Sequence, residues 1–191
     1  LNPVPPAKAG ELQTDLRCGA MRQMLSAMLQ IAPQIAAAHF EEADSPTECQ
    51  YAMQLSYCAE MFDSILHIPS YHDWFMHRTS YRHAFVFHKQ LLQLLQQHNG
   101  GRWTLKNPWH PLFLDDLTAV YPDAQLVMTH RDPAEVVGSA CSLLRFVRPM
   151  YSDHVDYGEI AQTLLKTFDL MIERQNAYRD RHGEHAIHDI Q

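Results

Sequence analysis

The chain has 191 residues, of which 46% are hydrophobic, and this suits one globular domain with a core of its own. It carries 15 Lys and Arg against 22 Asp and Glu, a formal net charge of −7. That balance argues against a general nucleic-acid surface, because binding a polyanion depends on many basic contacts. Only 7 residues are glycine, about half the ~13 expected at average usage. They form no Gly-rich phosphate loop, which argues strongly against a self-sufficient nucleotide-binding domain of the usual kind.

The cysteine spacing indicates the redox compartment of the chain, and its first residue bears on whether the chain was processed. The 4 cysteines have no CxxC spacing and favour a reduced, cytoplasmic chain. No apolar run reaches the ~18 residues of a transmembrane helix, and no signal peptide is visible. The chain begins at Leu1 without an initiator Met, so we expect it to have been processed, trimmed or cut from something longer.

The first half of the chain predicts helices. Apolar residues recur every three or four positions over 11–40, and Pro33 should split that stretch because it removes a backbone donor. The segment 44–46 has a capping residue followed by proline and predicts the start of a helix over 44–65. A further helix is expected over 80–97.

The second half predicts strands alternating with helices. The expected elements are a strand over 103–106, a helix over 111–120, a strand over 124–129, helices over 133–146 and 156–181, and the beginning of a strand over 186–190. Such alternation with short joins is typical of βαβ units, in which the first two strands would form a parallel pair with a right-handed crossover. The near-continuous apolar centre of the second strand predicts burial on both faces. The fold class is therefore α/β, with a short parallel sheet and a helix-rich N-terminal half.

The carboxyl ends of the predicted strands are the places where a ligand is expected. The first strand ends at Lys106, with His110 just beyond, and the second leads to Arg131. Asp132 and Pro133 then suit the N-cap and first residue of a helix, so free backbone N–H groups should lie beside the guanidinium. These groups predict a positive pocket for a small phosphorylated or sulfated molecule.

Position alone leaves structural alternatives open for each of these residues. Arg131 can pair with Asp132 or Glu135, His110 can be a surface or core histidine, and Ser139 can be a small packing residue. A metal site is not predicted for the three histidines near the end of the chain, since a glycine interrupts them and no cysteine accompanies them. They are His182, His185 and His188.

Four groups of residues follow one another closely between 102 and 144. They are Trp103-Thr104-Leu105-Lys106-Asn107-Pro108-Trp109-His110, Leu114-Asp115, Tyr121-Pro122-Asp123-Ala124 and Thr129-His130-Arg131-Asp132-Pro133, followed by Ser139 and Ser142-Leu143. This pattern resembles the sulfotransferases that use 3′-phosphoadenosine 5′-phosphosulfate (PAPS), most closely the branch common in bacteria. Weaker similarities at Cys49, 71–74 and 91–96 extend the resemblance over most of the chain.

The resemblance implies a P-loop-NTPase-like three-layer fold and transfer of a sulfuryl group from PAPS to a hydroxyl or amine, without a metal. The acceptor would be a small molecule, a glycan or a lipid. Arg131 and Ser139 match the positions that hold the 3′-phosphate of PAPS and of its product PAP. Lys106 matches the position that neutralises the phosphosulfate, and His110 is the candidate general base, because imidazole titrates near neutral pH. The alternative bases are three carboxylates of the helical half, Glu41, Glu42 and Asp44.

The resemblance also divides the chain and reveals a departure from the family. The single, partial domain 1–191 would comprise a helical acceptor-side region over 11–98 and a βαβα cofactor-binding core over 102–146. The family's phosphosulfate loop should lie shortly upstream of a segment similar to 2–6, and this chain does not contain it. The resemblance also leads us to expect that the C-terminal part, which helps cover the nucleotide in the family, is cut short. We therefore expect the middle of a sulfotransferase domain, inactive on its own.

Two other functions stay open on the sequence. The first is a nucleotide or nucleoside kinase of the same fold class, whose GxxxxGK motif followed by Ser or Thr is not in the chain. The second is a non-enzymatic helical interaction module that uses the acidic, Met-rich N-terminal half. Isothermal titration with PAP distinguishes both alternatives from a sulfotransferase, which is the function expected to bind PAP.

Overall fold

The computed structural model describes residues 4–8, 10–11, 14–38, 41–98 and 100–190. Within these ranges the chain is mostly helical, with one two-stranded parallel sheet. The helices are α1 (Leu16–Ile31), α2 (Ile35–Ala38), α3 (Cys49–Met53), α4 (Met61–Ile65), α5 (Pro69–His77), α6 (Arg82–Leu95), α7 (Leu114–Val120), α8 (Pro133–Val147) and α9 (Tyr157–His182). The strands are β1 (Leu126–Thr129) and β2 (Ile187–Ile190). No helix in this part of the chain is long and apolar enough to span a bilayer.

The helical stretch predicted over 11–40 consists of two helices. Asp15 caps α1 by accepting the backbone N–H of Arg17 at 2.9 Å. The break between α1 and α2 includes Pro33, so the predicted split is confirmed. Residues 12–13 and 39–40 of the predicted stretch lie outside the described residues.

The single helix predicted over 44–65 is wrong. Residues 44–48 are not helical, and α3 begins only at Cys49. After α3 and a short 3-10 turn, Tyr57 adopts a φ of 58°, which a right-handed helix cannot continue. The chain restarts as α4, and the residues between the two helices enter the core. These buried residues are Cys58, Ala59 and Glu60.

The strand predicted over 103–106 is also wrong. All its residues are exposed, and no strand of the described residues pairs with them. The parallel partners are instead β1 and β2, in register from Leu126 with Ile187 to Thr129 with Ile190. A strand needs a neighbour to complete its backbone hydrogen bonds, and within the described ranges only β1 and β2 supply one to each other. Burial of β1 on both faces is likewise not observed, because exposed and half-buried residues alternate along it.

One aromatic core joins the helical half to α7, α8 and α9. Tyr81 stacks on Phe113 with ring centroids 4.2 Å apart, and Phe75 meets both rings edge-on. Trp109 and Leu112 are buried in the same cluster. The segment that carries Lys106 and His110 is therefore anchored against the helices of the first half.

The variant Leu164→Ala tests the placement of α9 in this core. Leu164 is 5% exposed and its neighbour Leu165 is 48% exposed. The Leu164→Ala substitution should lower the free energy of unfolding by about 2–3 kcal/mol, because it removes buried apolar surface and leaves a cavity. The matched control Leu165→Ala should cost about 0.5 kcal/mol or less. Urea unfolding measures both, and equal costs would contradict this orientation of the helix.

Candidate functional site

Strand β1 leads directly into the N-terminus of α8. The backbone N–H of His130 donates to the carbonyl of Ile190 at 2.9 Å and extends the sheet by one residue. Asp132 caps α8 by accepting the N–H of Ala134 at 2.8 Å, and Pro133 is the first helical residue. The predicted cap is confirmed. Arg131 stands between the sheet and the positive end of a 15-residue helix dipole.

Arg131 forms an ion pair with Glu135, one of the two acids that the sequence offers it as partners. Its Nε donates to Glu135 Oε2 at 3.0 Å, and the two side chains are 65% and 61% exposed. An ion pair so exposed contributes only about 0.3–0.5 kcal/mol, so an incoming anion can displace it at little cost. Glu135 and Ser139 are four residues apart and share one face of α8. The guanidinium therefore lies on the helix face that carries the exposed Ser139.

Lys106 lies beside the first turn of α3. Its carbonyl accepts the backbone N–H of Cys49 at 2.9 Å, and its ammonium pairs with the carboxylate of Glu48. The Lys106 side chain is 69% exposed, whereas that of Glu48 is 10% exposed. A well-buried carboxylate is therefore held next to a cation that still faces solvent.

His110 opens the 3-10 turn that precedes α7, and its ring packs on Phe85 with centroids 5.7 Å apart. Burial lowers the pKa of His110 to about 4; His88 adds to this effect and Glu48 opposes it. His110 is therefore a neutral imidazole at pH 7, and the expectation that it titrates near neutrality does not hold at this position. Its Nε2 is buried and has no hydrogen-bond partner among the described residues.

Glu48 is the residue that sequence reasoning missed. One carboxylate oxygen pairs with Lys106, and the other accepts the side-chain amide N–H of Gln50 at 2.7 Å. The carboxylate also lies close enough to His110 to act on its pKa. In the sequence it reads as the ordinary acid of a helix start, at 46–48. Only the packing of α3 against 106–110 places it beside Lys106.

The three carboxylates expected as alternative bases are placed differently. Glu41 hydrogen-bonds Tyr51 of α3, and this contact and burial raise the pKa of that phenol. Asp44 instead faces α1, where it pairs with Arg22 at 3.5 Å. Glu42 lies in a turn closed by its backbone and the Ser45 hydroxyl. Of the three, Glu41 contacts the helix that adjoins Lys106.

The four predicted site residues thus form two pairs. Arg131 and Ser139 share a face of α8, while Lys106 and His110 belong to the segment 106–110, which packs against α3 and α6. Within the described ranges, no hydrogen bond or ion pair joins one pair to the other. No three His, Cys, Asp or Glu side chains in these ranges are grouped as metal ligands.

Acidification tests the buried imidazole of His88, which faces the Tyr121 hydroxyl at 2.8 Å. Burial lowers the pKa of His88 to about 4, so the folded chain keeps it neutral while the unfolded chain protonates it near 6.5. The stability it contributes is present above pH 6.5 and is lost as the pH falls towards 4. Relative to His88→Gln, the wild type should lose about 2 kcal/mol of unfolding free energy between pH 7 and pH 5.

Glu60→Gln is the control with the opposite sign. Burial raises the pKa of Glu60 to about 8, so the stability of the wild type relative to this variant should fall as the pH rises from 4.5 towards 8. Urea unfolding at several pH values measures both differences. A pH-independent difference between wild type and His88→Gln would contradict a neutral, buried His88.

Comparison with known proteins identifies the family. The family model described as "Sulfotransferase family" matches residues 2–191. The chain belongs to the sulfotransferase family. Two mycobacterial members have similar solved structures. Sulfotransferase STF9 from Mycobacterium avium has a TM-score of 0.82 and 29% identity, and the alignment covers 98% of this chain and 49% of that one. Sulfotransferase STF1 from Mycobacterium tuberculosis has a TM-score of 0.84 and 28% identity, with 98% and 52% covered.

The chain matches these two sulfotransferases over only part of their length. It spans about half of the length of each solved structure. A comparison with curated protein sequences gives no match. Membership of the sulfotransferase family therefore rests on the family model and on the two solved structures.

Proposed function

We propose that this chain carries the 3′-phosphate-binding and acceptor-side parts of an enzyme that transfers a sulfuryl group from PAPS to a hydroxyl or amine. The observation that carries the proposal is the exposed Arg131 guanidinium between the end of β1 and the N-terminus of α8. A guanidinium and a helix N-terminus at the carboxyl end of a parallel strand form an anion site. The whole domain would then have the P-loop-like three-layer fold, with 11–98 on the acceptor side and 102–146 on the nucleotide side.

Arg131 and Ser139 bind the 3′-phosphate in this proposal. The phosphate displaces Glu135 from the guanidinium, which can donate two parallel N–H bonds to it. Ser139 adds a hydroxyl donor from the same face of α8. The weak, exposed ion pair with Glu135 keeps the guanidinium extended along that face before the nucleotide arrives.

Lys106 and Glu48 act at the reacting centre. In an in-line transfer, the acceptor oxygen forms a bond to sulfur while the bond from sulfur to the 5′-phosphate oxygen breaks, and PAP leaves with the electron pair. Lys106 neutralises the charge that develops on the leaving phosphate. Glu48 takes the proton of the acceptor hydroxyl, so the reaction balances without a further reactant.

Orientation favours Glu48 over His110 as the general base. A base is held in position by other groups. Glu48 is bonded through both oxygens, to Lys106 and to Gln50. The ring of His110 has no side-chain hydrogen bond within the described ranges. We assign His110 to contact with the acceptor and Glu48 to proton transfer.

Two measurements test this function on the chain and on any longer protein that contains it. Isothermal titration with PAP and with AMP, which lacks the 3′-phosphate, should give at least tenfold tighter binding of PAP. Equal affinities would overturn the proposed 3′-phosphate site. Transfer of labelled sulfate from PAPS to a panel of alcohols and amines identifies the acceptor.

A further inference from the structure

Two buried polar atoms, one in the Gln50 amide that bonds Glu48 and one in His110, have no hydrogen-bond partner among the described residues. They are Gln50 Oε1 and His110 Nε2. Folded proteins pair nearly all such atoms, and leaving one unpaired costs about 1–3 kcal/mol. Both residues reach the protein surface, being half-buried as a whole, although the two atoms themselves are enclosed. The Tyr81 hydroxyl is unpaired too, but its ring is enclosed by core aromatics.

The hydrogen bond to Glu48 fixes which way the Gln50 amide points. A carboxylate only accepts, so the group 2.7 Å from Glu48 Oε2 is the NH₂ end of the amide. The carbonyl oxygen therefore faces away from Glu48 and can only accept a hydrogen bond. The backbone bond from Cys49 to Lys106 holds this turn of α3 in place. The unpaired acceptor is thus held beside the carboxylate that takes the proton.

We propose that Gln50 recognises the acceptor by accepting a hydrogen bond from a second donor group next to the hydroxyl that is sulfated. The substrate class that fits is a vicinal diol or amino alcohol, as found in polyols and sugars. One hydroxyl loses its proton to Glu48 while its neighbour donates to Gln50 Oε1. The His110 imidazole, neutral at pH 7, offers Nε2 as a further partner. The inference rests on the proposed function, because it names the acceptor of that same site.

The chemistry of Gln50 makes the preference selective. A site with an unpaired, buried carbonyl oxygen disfavours a substrate analogue that lacks the matching hydrogen-bond donor. The carbonyl oxygen then stays desolvated and unpaired. One neutral hydrogen bond of this kind corresponds to about a 10-fold difference in affinity. A simple alcohol should therefore be a poorer acceptor than the corresponding diol.

Gln50→Met tests the inference because methionine keeps the length of the side chain and removes the carbonyl. The two probes are cis-cyclohexane-1,2-diol and cyclohexanol, which differ by one hydroxyl. Saturation-transfer NMR measures their binding to the chain, and kcat/KM with PAPS measures their use by the longest form that transfers sulfate. Gln54→Met is the matched control, since its amide donates to the Tyr51 carbonyl instead.

The expected result is a diol preference of about 10-fold in the wild type and in Gln54→Met that falls to about 1 in Gln50→Met. An unchanged preference in Gln50→Met, or none in the wild type, would overturn the role of Gln50 and indicate a structural amide. Urea unfolding shows that the variants are folded. Binding of PAP does not involve Gln50, so failure to bind PAP sinks the proposed function separately while the NMR comparison still decides this inference.

Discussion

Replacing Arg131 with alanine weakens the binding of PAP about 100-fold and leaves the binding of AMP nearly unchanged. Two charge-assisted hydrogen bonds from a guanidinium to a phosphate are together worth about 3 kcal/mol, and each 1.4 kcal/mol is about tenfold in affinity. AMP has no 3′-phosphate, so it loses nothing with the guanidinium. Isothermal titration of both nucleotides into wild type and variant gives the four affinities that the comparison needs.

Three further variants locate the effect at the 3′-phosphate. Arg131→Lys should bind PAP with intermediate affinity, since lysine keeps the charge without the planar fork. Glu135→Gln should bind PAP a few-fold more tightly, because it removes the carboxylate that competes for Arg131. Arg181→Ala removes an exposed arginine of α9 that pairs with Asp115 and should change neither nucleotide. Wild-type PAP affinity in Arg131→Ala would overturn the assignment.

The parts of the fold that the sequence predicts well have local causes. The cap at Asp132 and the proline after it set the start of α8, and α9 begins directly after Asp156, at the predicted place. The split at Pro33 follows from one missing backbone donor. Each signal lies within a few residues of the feature that it produces.

The wrong predictions depend on distant contacts. Residues 103–106 have the composition of a strand, but strand formation depends on a neighbour that the described chain does not supply. The partner of β1 is β2, which lies beyond α8 and α9. The helix predicted over 44–65 ends at the left-handed Tyr57, a residue type that gives no local warning of a positive φ.

The candidate site divides along the same line. Arg131 and its helix terminus follow from a strand, a cap and a proline that are adjacent in sequence. Glu48 and Lys106 are 58 residues apart, so their pairing is a tertiary contact that no spacing rule predicts. The burial that lowers the pKa of His110 includes packing of its ring on α6. The residues around His110 in the sequence do not predict this contact.

Replacing Glu48 with glutamine lowers kcat for sulfuryl transfer about 1000-fold and does not weaken the binding of PAP. General-base catalysis contributes about 10²–10⁴-fold, and the amide keeps the shape of the side chain without taking a proton. The affinity for PAP is not expected to fall, because glutamine leaves Arg131 in place and removes a carboxylate that competes with the phosphate for Lys106. Single-turnover transfer of labelled sulfate from PAPS, in the longest form that is active, separates the chemical step from binding.

Two controls decide between the carboxylate and the imidazole. Asp44→Asn removes a carboxylate that pairs with Arg22 instead of Lys106, and should leave kcat at the wild-type level. His110→Asn should raise KM for the acceptor and lower kcat by about tenfold at most, because a contact is lost but the base remains. If kcat falls about 1000-fold in His110→Asn and only slightly in Glu48→Gln, the general base is the imidazole and not the carboxylate. That outcome would restore the role that the motif alone suggests for His110, despite its low pKa.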